Sequence, residues 1–368
     1  MHVLVTTDTV GGVWSYTREL VTGLVTKGVR VTLVSFGGVP RREQRAWLAG
    51  LSGVRFYPTS FRLEWMQNAA EDVSESCSYL LRVVEECKPD VVHLSQFCFG
   101  SLEFSAPKVV VAHSDVLSWF QTVQGALPQD AWLEWYRGIV SRGLAGAGMI
   151  VAPSRWMLDA LEDCYGMQRH TRVIYNGRTP ALYRPNRDKQ ACAVSMGRLW
   201  DQGKQMELLL RAVDSPYPVH LAGTLTQPSE EKSDKRVPKM PQHVCFEGEM
   251  LEPEVRDLLS RAEVYIATSK YEPFGLCPLE AALSRCALLV NDIPSLREVW
   301  GNAALYFNRD DASSLVKNLA ALHDDPQLRS EYAKRAYQHA IAHYTADQMV
   351  EEYLHLYSAL LERRVSAA

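Results

Sequence analysis

The chain has 368 residues, of which 47% are hydrophobic and 22% charged, and its formal net charge is −4. That length suits two domains with sizeable cores rather than one. The slightly acidic balance argues against a general nucleic-acid or anionic-membrane binder, which would carry a basic excess.

From the start, strand-like and helix-like stretches alternate. "HVLVTT" reads as a buried strand. Val13, Thr17, Leu20, Val21, Leu24 and Val25 then fall on one helical face, closed by Gly28. "RVTLVSF" is the next strand. Val73, Cys77, Leu80, Leu81 and Val84 mark a helix, followed by the strands "DVVHLS" and "KVVVAH". A Trp-rich helix is expected from about Asp130, then the strand "MIVAPS" and a helix capped by Ser154. The stretch "YNGRTPALYRPNRDKQ" breaks the pattern with Pro, Asn, Gly and charge, which marks a linker.

The alternation then restarts. "CAVSMG" is a strand, Met206 to Val213 a helix, and "PVHLAG" and "HVCFEG" are strands. A helix opens near Pro253, followed by the strand "EVYIATS", a helix near Pro278 and the strand "ALLVN". After Asp311 everything reads as helix, the last from Thr345 to about Arg363. This alternation implies two doubly wound α/β halves, each a mainly parallel sheet covered by helices. The expected division is 1–175, a linker at 176–190, and 191–344.

Eight cysteines are present, none in a C-x-x-C pair, and most sit in apolar runs as reduced core thiols do. No Asp-x-Asp triplet or His/Cys cluster has the spacing of a metal site, so no metal and no cofactor is expected. The chain opens directly into a strand-like run, and its longest apolar run, "LAGAGMIVAP", is too short to span a bilayer. A soluble cytoplasmic protein is the expectation, with no transmembrane segment and no nucleic-acid partner.

In open parallel sheets, ligands collect beyond the carboxyl ends of the strands. "EVYIATS", "KYEPFGLC" and "PLEAALSR" form a strand, a loop and a helix start at such a place. The helix N-terminus favours an anion such as phosphate, and Gly275 allows close approach. Glu272 lies on the loop and Glu280 in the first helical turns. Two acceptor-only carboxylates beside a phosphate site suit a ligand rich in hydroxyls. The plainer alternative is that Glu280 complements the helix dipole and Glu272 is solvated. A second cluster, "SMGRLWDQGKQ", places Gly197 at a strand end, Arg198 next and Lys204 about one turn on, a set suited to a diphosphate. His113 follows another strand, and "TDTVGGVW" permits a tight turn open to ligand, although it is not the G-x-G-x-x-G fingerprint.

Taken together these motifs resemble the retaining glycosyltransferases of family 4. Glu272, seven intervening residues and Glu280 look like that family's E-x7-E signature. "DTVGGVWSYTRELVTGLVTKG", "RVIYNGRTPALYRP", "MGRLWDQGKQMELLLRA", "VCFEGEM" and "IATSKYEPFGLCPLEAA" follow in family order. One difference stands out: the family's usual lysine directly precedes a glycine, whereas here Gly203 precedes Lys204.

The resemblance implies the GT-B fold, two Rossmann-like domains facing a central cleft, with the final helix (345–365) crossing back to the N-terminal domain. It implies that Arg198 and Lys204 hold a diphosphate and that Glu280 takes ribose hydroxyls. Glu272, with the backbone of Phe274, Gly275 and Leu276, would hold the donor sugar and its phosphate. His113 would contact the donor sugar, Gly11 and Gly12 would line the cleft, and Gly248 to Leu251 would border the base.

The implied reaction is retaining and metal-independent. It moves a hexose from a nucleotide sugar, such as a UDP- or GDP-sugar, to a hydroxyl of a glycan, lipid-linked or small-molecule acceptor. Two alternatives stay open: a nucleotide-sugar epimerase, whose acid/base candidates would be His113 and Asp115, and a catalytically silent sugar-nucleotide binder. On the acceptor side, Trp119 and Phe120 in the loop after "HSDV" are the best candidates, because aromatic faces suit sugars. "PRREQRAW" is a solvated segment or a peripheral contact for a membrane or an anionic acceptor.

Overall fold

The computed structural model describes residues 1–168, 170–183, 188–225 and 240–367. Residues 184–187 of the expected linker lie outside these. The chain divides into two compact units, Met1–Gly177 with Ala346–Ala368, and Arg178–Thr345.

In the first unit, seven strands form one wholly parallel sheet. They are β1 (His2–Asp8), β2 (Arg30–Phe36), β3 (Val54–Pro58), β4 (Val91–Leu94), β5 (Lys108–Val111), β6 (Met149–Ala152) and β7 (Thr171–Val173), and their spatial order is β3-β2-β1-β4-β5-β6-β7. Every residue of β1, β4 and β6 is buried, as expected of strands covered on both faces. The crossovers are α1 (Gly12–Thr26), α2 (Ala70–Cys87), α3 (Val116–Val123), α4 (Ala131–Gly146) and α5 (Arg155–Tyr165). Asp130 caps α4 through the Trp132 amide at 2.7 Å, and Ser154 caps α5 through the Met157 amide at 3.2 Å.

The second unit repeats the plan with six parallel strands. These are β8 (Gln190–Met196), β9 (Val219–Ala222), β10 (Val244–Gly248), β11 (Ala262–Ala267), β12 (Ala287–Asn291) and β13 (Leu305–Phe307), ordered β10-β9-β8-β11-β12-β13. Its helices are α6 (Glu207–Arg211), α7 (Glu252–Arg261), α8 (Leu276–Leu283), α9 (Pro294–Trp300), α10 (Ala312–Asp324) and α11 (Pro326–His343). The last helix, α12 (Ala346–Ala367), belongs to the first unit. In each sheet the chain starts on an inner strand, winds to one edge, then returns to build the other. The switch points lie between β1 and β4 and between β8 and β11.

Several expectations need correction. Trp119 and Phe120 do not sit in a loop; they belong to α3, whose first turn Asp115 caps by accepting from the Ser118 amide at 2.8 Å. The helix expected from Met206 to Val213 is only Glu207–Arg211, because Ala212 leaves helical geometry ahead of a segment holding Pro216 and Pro218. Strands β3, β7 and β13 and helix α9 were not anticipated. The three strands are short and lie at sheet edges, where burial is partial and periodicity weak.

Helix α12 is joined to the first unit through buried rings. His93 of β4, fully buried, lies with Nδ1 2.7 Å from the Tyr357 hydroxyl and Nε2 3.3 Å from that of Tyr16. Tyr353 stacks edge-on against the same imidazole, 5.1 Å between centroids. Burial pushes the His93 pKa down to about 3. Helix α4 makes a close backbone approach to the 3₁₀ turn Cys98–Ser101. A Cβ on Gly143 would lie 1.8 Å from the Phe97 carbonyl oxygen.

Gly143→Ala should therefore lower stability by roughly 2 kcal/mol or more, since backbone must move to admit the methyl group. Gly138→Ala on the same helix, whose Cβ meets only the end of Arg142, should be neutral or gain up to about 1 kcal/mol. Urea unfolding of both variants checks this, and equal stabilities would contradict the close-contact reading.

His93 also sets a pH dependence. Its folded pKa lies below its unfolded value, so the unfolded chain takes up a proton between about pH 6.5 and 3 that the folded chain does not. Its contribution to stability is complete above pH 6.5 and falls with acidity, by up to about 1.4 kcal/mol per pH unit. Urea midpoints at pH 7, 6 and 5 should converge between wild type and His93→Gln as pH falls; parallel curves would show that His93 does not supply the slope.

Candidate functional site

In the second unit the loops after β8 and β11 leave the sheet at its switch point. Strand β8 ends at Met196, and the Gly197 amide donates to the Ala222 carbonyl at 3.1 Å. Gly223 lies so close that a Cβ there would fall 1.8 Å from the Gly197 oxygen, and its φ of +144° is strained for other residues. Arg198 follows, with its guanidinium over Trp200 at 5.2 Å and Nη2 donating to Asp201 Oδ2 at 2.7 Å. The other oxygen of Asp201 accepts from the Gly203 amide at 2.9 Å and shapes the turn Gln202–Lys204.

The loop after β11 is fastened to that turn. The Lys270 amide donates to the Gly203 carbonyl at 2.8 Å, and Thr268 Oγ1 donates to the Lys204 carbonyl at 2.8 Å. Asn291 at the end of β12 donates through Nδ2 to the Ser269 carbonyl at 3.1 Å. These ties bring Lys204 Nζ within 2.5 Å of Glu272 Oε2, which also accepts from Ser269 Oγ at 2.9 Å. Helix α8 then begins. Gly275 is its N-cap with φ 92° and ψ 82°, and no side chain caps the first turn. Its leading amides are left to bind an anion. Phe274 is buried and meets Tyr344 edge-on at 5.2 Å, while Leu276 and Cys277 are half-buried. Burial, reinforced by the Glu280 charge, pushes the Cys277 thiol up to about 12, so it stays protonated and is a poor nucleophile.

Glu280 lies one turn further in and is buried. It is paired with Arg178, whose Nη2 also donates to Glu252 Oε1 at 3.2 Å. Sequence reasoning missed Arg178, which lay inside "YNGRTP" and read as a linker charge; nothing in its local pattern signals burial. The two carboxylates of the motif thus have different cations: Lys204 for Glu272 and Arg178 for Glu280. In the segment Gly248–Leu251, Gly248 has φ +72° and accepts from the Gly223 amide at 2.7 Å, while Leu251 is exposed.

In the first unit the candidates lie at carboxyl ends of their own sheet. Gly11, with φ 74°, is the N-cap of α1, and Gly11 and Gly12 are exposed. His113 follows β5, half-buried, with Nε2 3.3 Å from Ser95 Oγ and its ring edge-on to Tyr16 at 4.5 Å. Burial pushes its pKa down to about 3, so it is neutral at ordinary pH. Asp115 accepts from the Tyr165 and Tyr136 hydroxyls at 2.6 and 3.2 Å as well as from the Ser118 amide. Those bonds make it a helix cap rather than an exposed acid. Trp119 and Phe120 meet edge-on at 5.1 Å, and Phe120 packs on the core.

Known proteins share this architecture. Residues 10–181 match the model of Glycosyltransferase Family 4, and residues 184–339 that of Glycosyl transferases group 1. The chain thus matches two glycosyltransferase domain models in succession, that of family 4 and then that of group 1. A lipopolysaccharide core biosynthesis mannosyltransferase of Rhizobium leguminosarum is 27% identical over 190 residues, 48% of this chain and 52% of that protein. An O-antigen chain mannosyltransferase of Salmonella typhimurium is 37% identical over 95 residues, 25% of this chain and 27% of that one. The chain therefore spans about half and about a quarter of these two relatives.

Among solved structures, a sucrose-phosphate synthase of Thermosynechococcus elongatus superposes with a TM-score of 0.79 at 16% identity, covering 99% of this chain and all of that one. Anabaena Alr3699/HepE in complex with UDP-glucose gives 0.73 at 16% identity, with both chains wholly covered. At such identities the likeness is one of fold, and the fold is GT-B. No helix among the described residues is long and apolar enough to cross a membrane.

Proposed function

We propose that this glycosyltransferase moves a hexosyl group from a nucleoside-diphosphate sugar to an acceptor hydroxyl, with retention of anomeric configuration and without a divalent cation. The observation that carries the proposal is the cluster at the switch point of the second unit. Arg198, Lys204 and the uncapped start of α8 supply positive charge, and Glu272 stands beside them as an acceptor of hydroxyl hydrogen bonds. A UDP-sugar, GDP-sugar or related donor meets both features in one molecule. The similar proteins point the same way: two are mannosyltransferases, and one structural neighbour was solved with UDP-glucose.

In the proposed reaction the bond between the sugar C1 and the diphosphate oxygen breaks, and the diphosphate leaves with the electron pair. The acceptor oxygen forms its bond to C1 on the same face. Its proton passes to the departing phosphate oxygen. The protein's task is to stabilise the charge growing on the diphosphate and to hold the sugar still. Lys204 has three donors, so it can meet a phosphate oxygen while keeping Glu272 in place. Phe274, Gly275 and Leu276 would offer backbone to the donor, and Glu280 would take the ribose. Gly11, Gly12 and His113 are proposed ligand contacts of the first unit. Trp119 and Phe120 are proposed for acceptor binding from α3, and Gly248 to Leu251 for the base. The acceptor is proposed as a glycan, a lipid-linked sugar or a small molecule, and the location as cytoplasmic. The epimerase alternative is disfavoured because Asp115 is held by two tyrosines and a helix amide.

A thermal-shift screen with UDP, GDP, ADP and their sugars should single out one nucleotide. At 100 times its Kd, that ligand should add about 2.7 kcal/mol of stability. No shift with any of them would remove the donor assignment. Once a donor is known, Arg198→Ala should lower kcat by roughly 100-fold or more, by analogy with a lost oxyanion donor. Turnover within a few-fold of wild type would sink the role given to Arg198.

A further inference from the structure

We propose that Arg178 is a positioning residue for Glu280 and sets how strongly the site distinguishes a ribose from a deoxyribose. The inference rests on the reading of Glu280 as the ribose acceptor. The Arg178 side chain is 1% exposed, whereas that of Arg198 is 38% exposed. A guanidinium so deeply buried is held in place by its partners, and a ligand does not displace it at low cost.

Arg178 is fixed from both ends. Its amide donates to the Tyr344 carbonyl at 3.1 Å, and its backbone forms an isolated bridge with Thr345. Its Nη2 reaches both Glu280, in the second turn of α8, and Glu252, the first residue of α7. One planar cation therefore ties two helices and two carboxylates together. Without it, Glu280 would be an almost fully buried carboxylate deprived of this counter-charge, a strongly unfavourable state. It would respond by moving, or by binding a proton and so becoming a donor.

Both responses damage ribose recognition in the same way. An ionised carboxylate only accepts, and it offers about four lone-pair sites, so pairing with Arg178 leaves it the capacity to take sugar hydroxyls. Vicinal ribose hydroxyls need an acceptor at a fixed distance and angle. Lysine copies the arrangement only in part: its ammonium could meet both carboxylates, but it is a point charge on a flexible stem, without the rigid guanidinium plane that sets where Nη2 lies between Glu252 and Glu280.

The test is calorimetry with UDP, GDP and ADP on the full chain, followed by the 2′-deoxy and 3′-deoxy forms of whichever binds. Wild type should bind the ribonucleotide at least about tenfold tighter than one of the deoxy forms. Glu280→Gln should shrink that ratio to about twofold. Arg178→Met should do the same, and Arg178→Lys should leave it intermediate. A residue that merely held the fold would weaken ribo and deoxy forms alike. If Glu280→Gln collapses the ratio while Arg178→Lys and any folded Arg178→Met keep the wild-type value, the positioning role is overturned. Should Arg178→Met fail to fold, Arg178→Lys alone decides, with an unchanged ratio counting against the proposal. A wild-type ratio near one, or one untouched by Glu280→Gln, overturns the ribose assignment itself.

Discussion

Two hydrogen bonds between neighbouring loops govern the second unit's site. Strands β8 and β11 lie side by side although more than sixty residues separate them in the chain, because the chain reverses its winding between them. Their loops would diverge if left alone. The Lys270 amide on the Gly203 carbonyl and the Thr268 hydroxyl on the Lys204 carbonyl clamp them together. A lysine side chain loses substantial rotamer freedom when it is fixed. Here much of that cost is met before any ligand arrives, since backbone bonds fix the stem of Lys204 and Glu272 receives its head. Charge aimed in advance is what makes electrostatic stabilisation effective in a reaction that spreads negative charge over a leaving group.

The cations in this unit divide by depth. Arg198 lies on the surface against Trp200 and Asp201, close to a turn, so its proposed contact with a phosphate would ask for little desolvation. Lys204 is intermediate, about one-sixth exposed, and its ammonium can share itself between a carboxylate and a phosphate oxygen. Arg178 is buried and bridges two helices. The same charge thus serves different purposes, because the desolvation that holds Arg178 in place would make it a poor mobile ligand clamp. The unlike environments of Glu272 and Glu280 follow from this, and they fit one carboxylate meeting the sugar and another meeting the ribose.

Much of this was legible in the sequence. Buried strands such as β1, β2 and β12 announce themselves as short stretches rich in Val and Leu, and caps such as Asp130 and Ser154 are local chemistry. The E-x7-E spacing and the Gly197–Arg198–Lys204 run read as strand-end segments from the sequence alone. Edge strands β3, β7 and β13 were not legible, because partial burial erases the pattern that marks a strand. Helix α3 was hidden for a different reason. Its eight residues follow "HSD", which reads as loop until Asp115 is seen accepting from the Ser118 amide. Arg178 was least visible of all, since its burial depends on α7, α8 and the Tyr344–Thr345 segment meeting around it. No window of sequence around position 178 contains those partners.

The first unit presents a different electrostatic character. His93 and His113 are both held neutral by burial, and Asp115 spends its oxygens on two tyrosines and a helix amide. A histidine whose pKa lies near 3 is a weak base at pH 7, worth little in removing a proton from a hydroxyl of far higher pKa. It can still give or take a hydrogen bond, which suits positioning. None of these three groups is poised to act as the general base of a transfer. This agrees with the proposed reaction, which follows the family resemblance in sending the acceptor proton to the departing phosphate oxygen, a base that the donor itself brings. The clamped cations of the second unit then have two opposing effects to balance. They must lower the energy of the leaving diphosphate, yet leave one of its oxygens basic enough to accept a proton. A lysine shared with Glu272 and an arginine shared with Asp201 are softer partners for a phosphate than unshared cations would be, and that moderation is what such a balance requires.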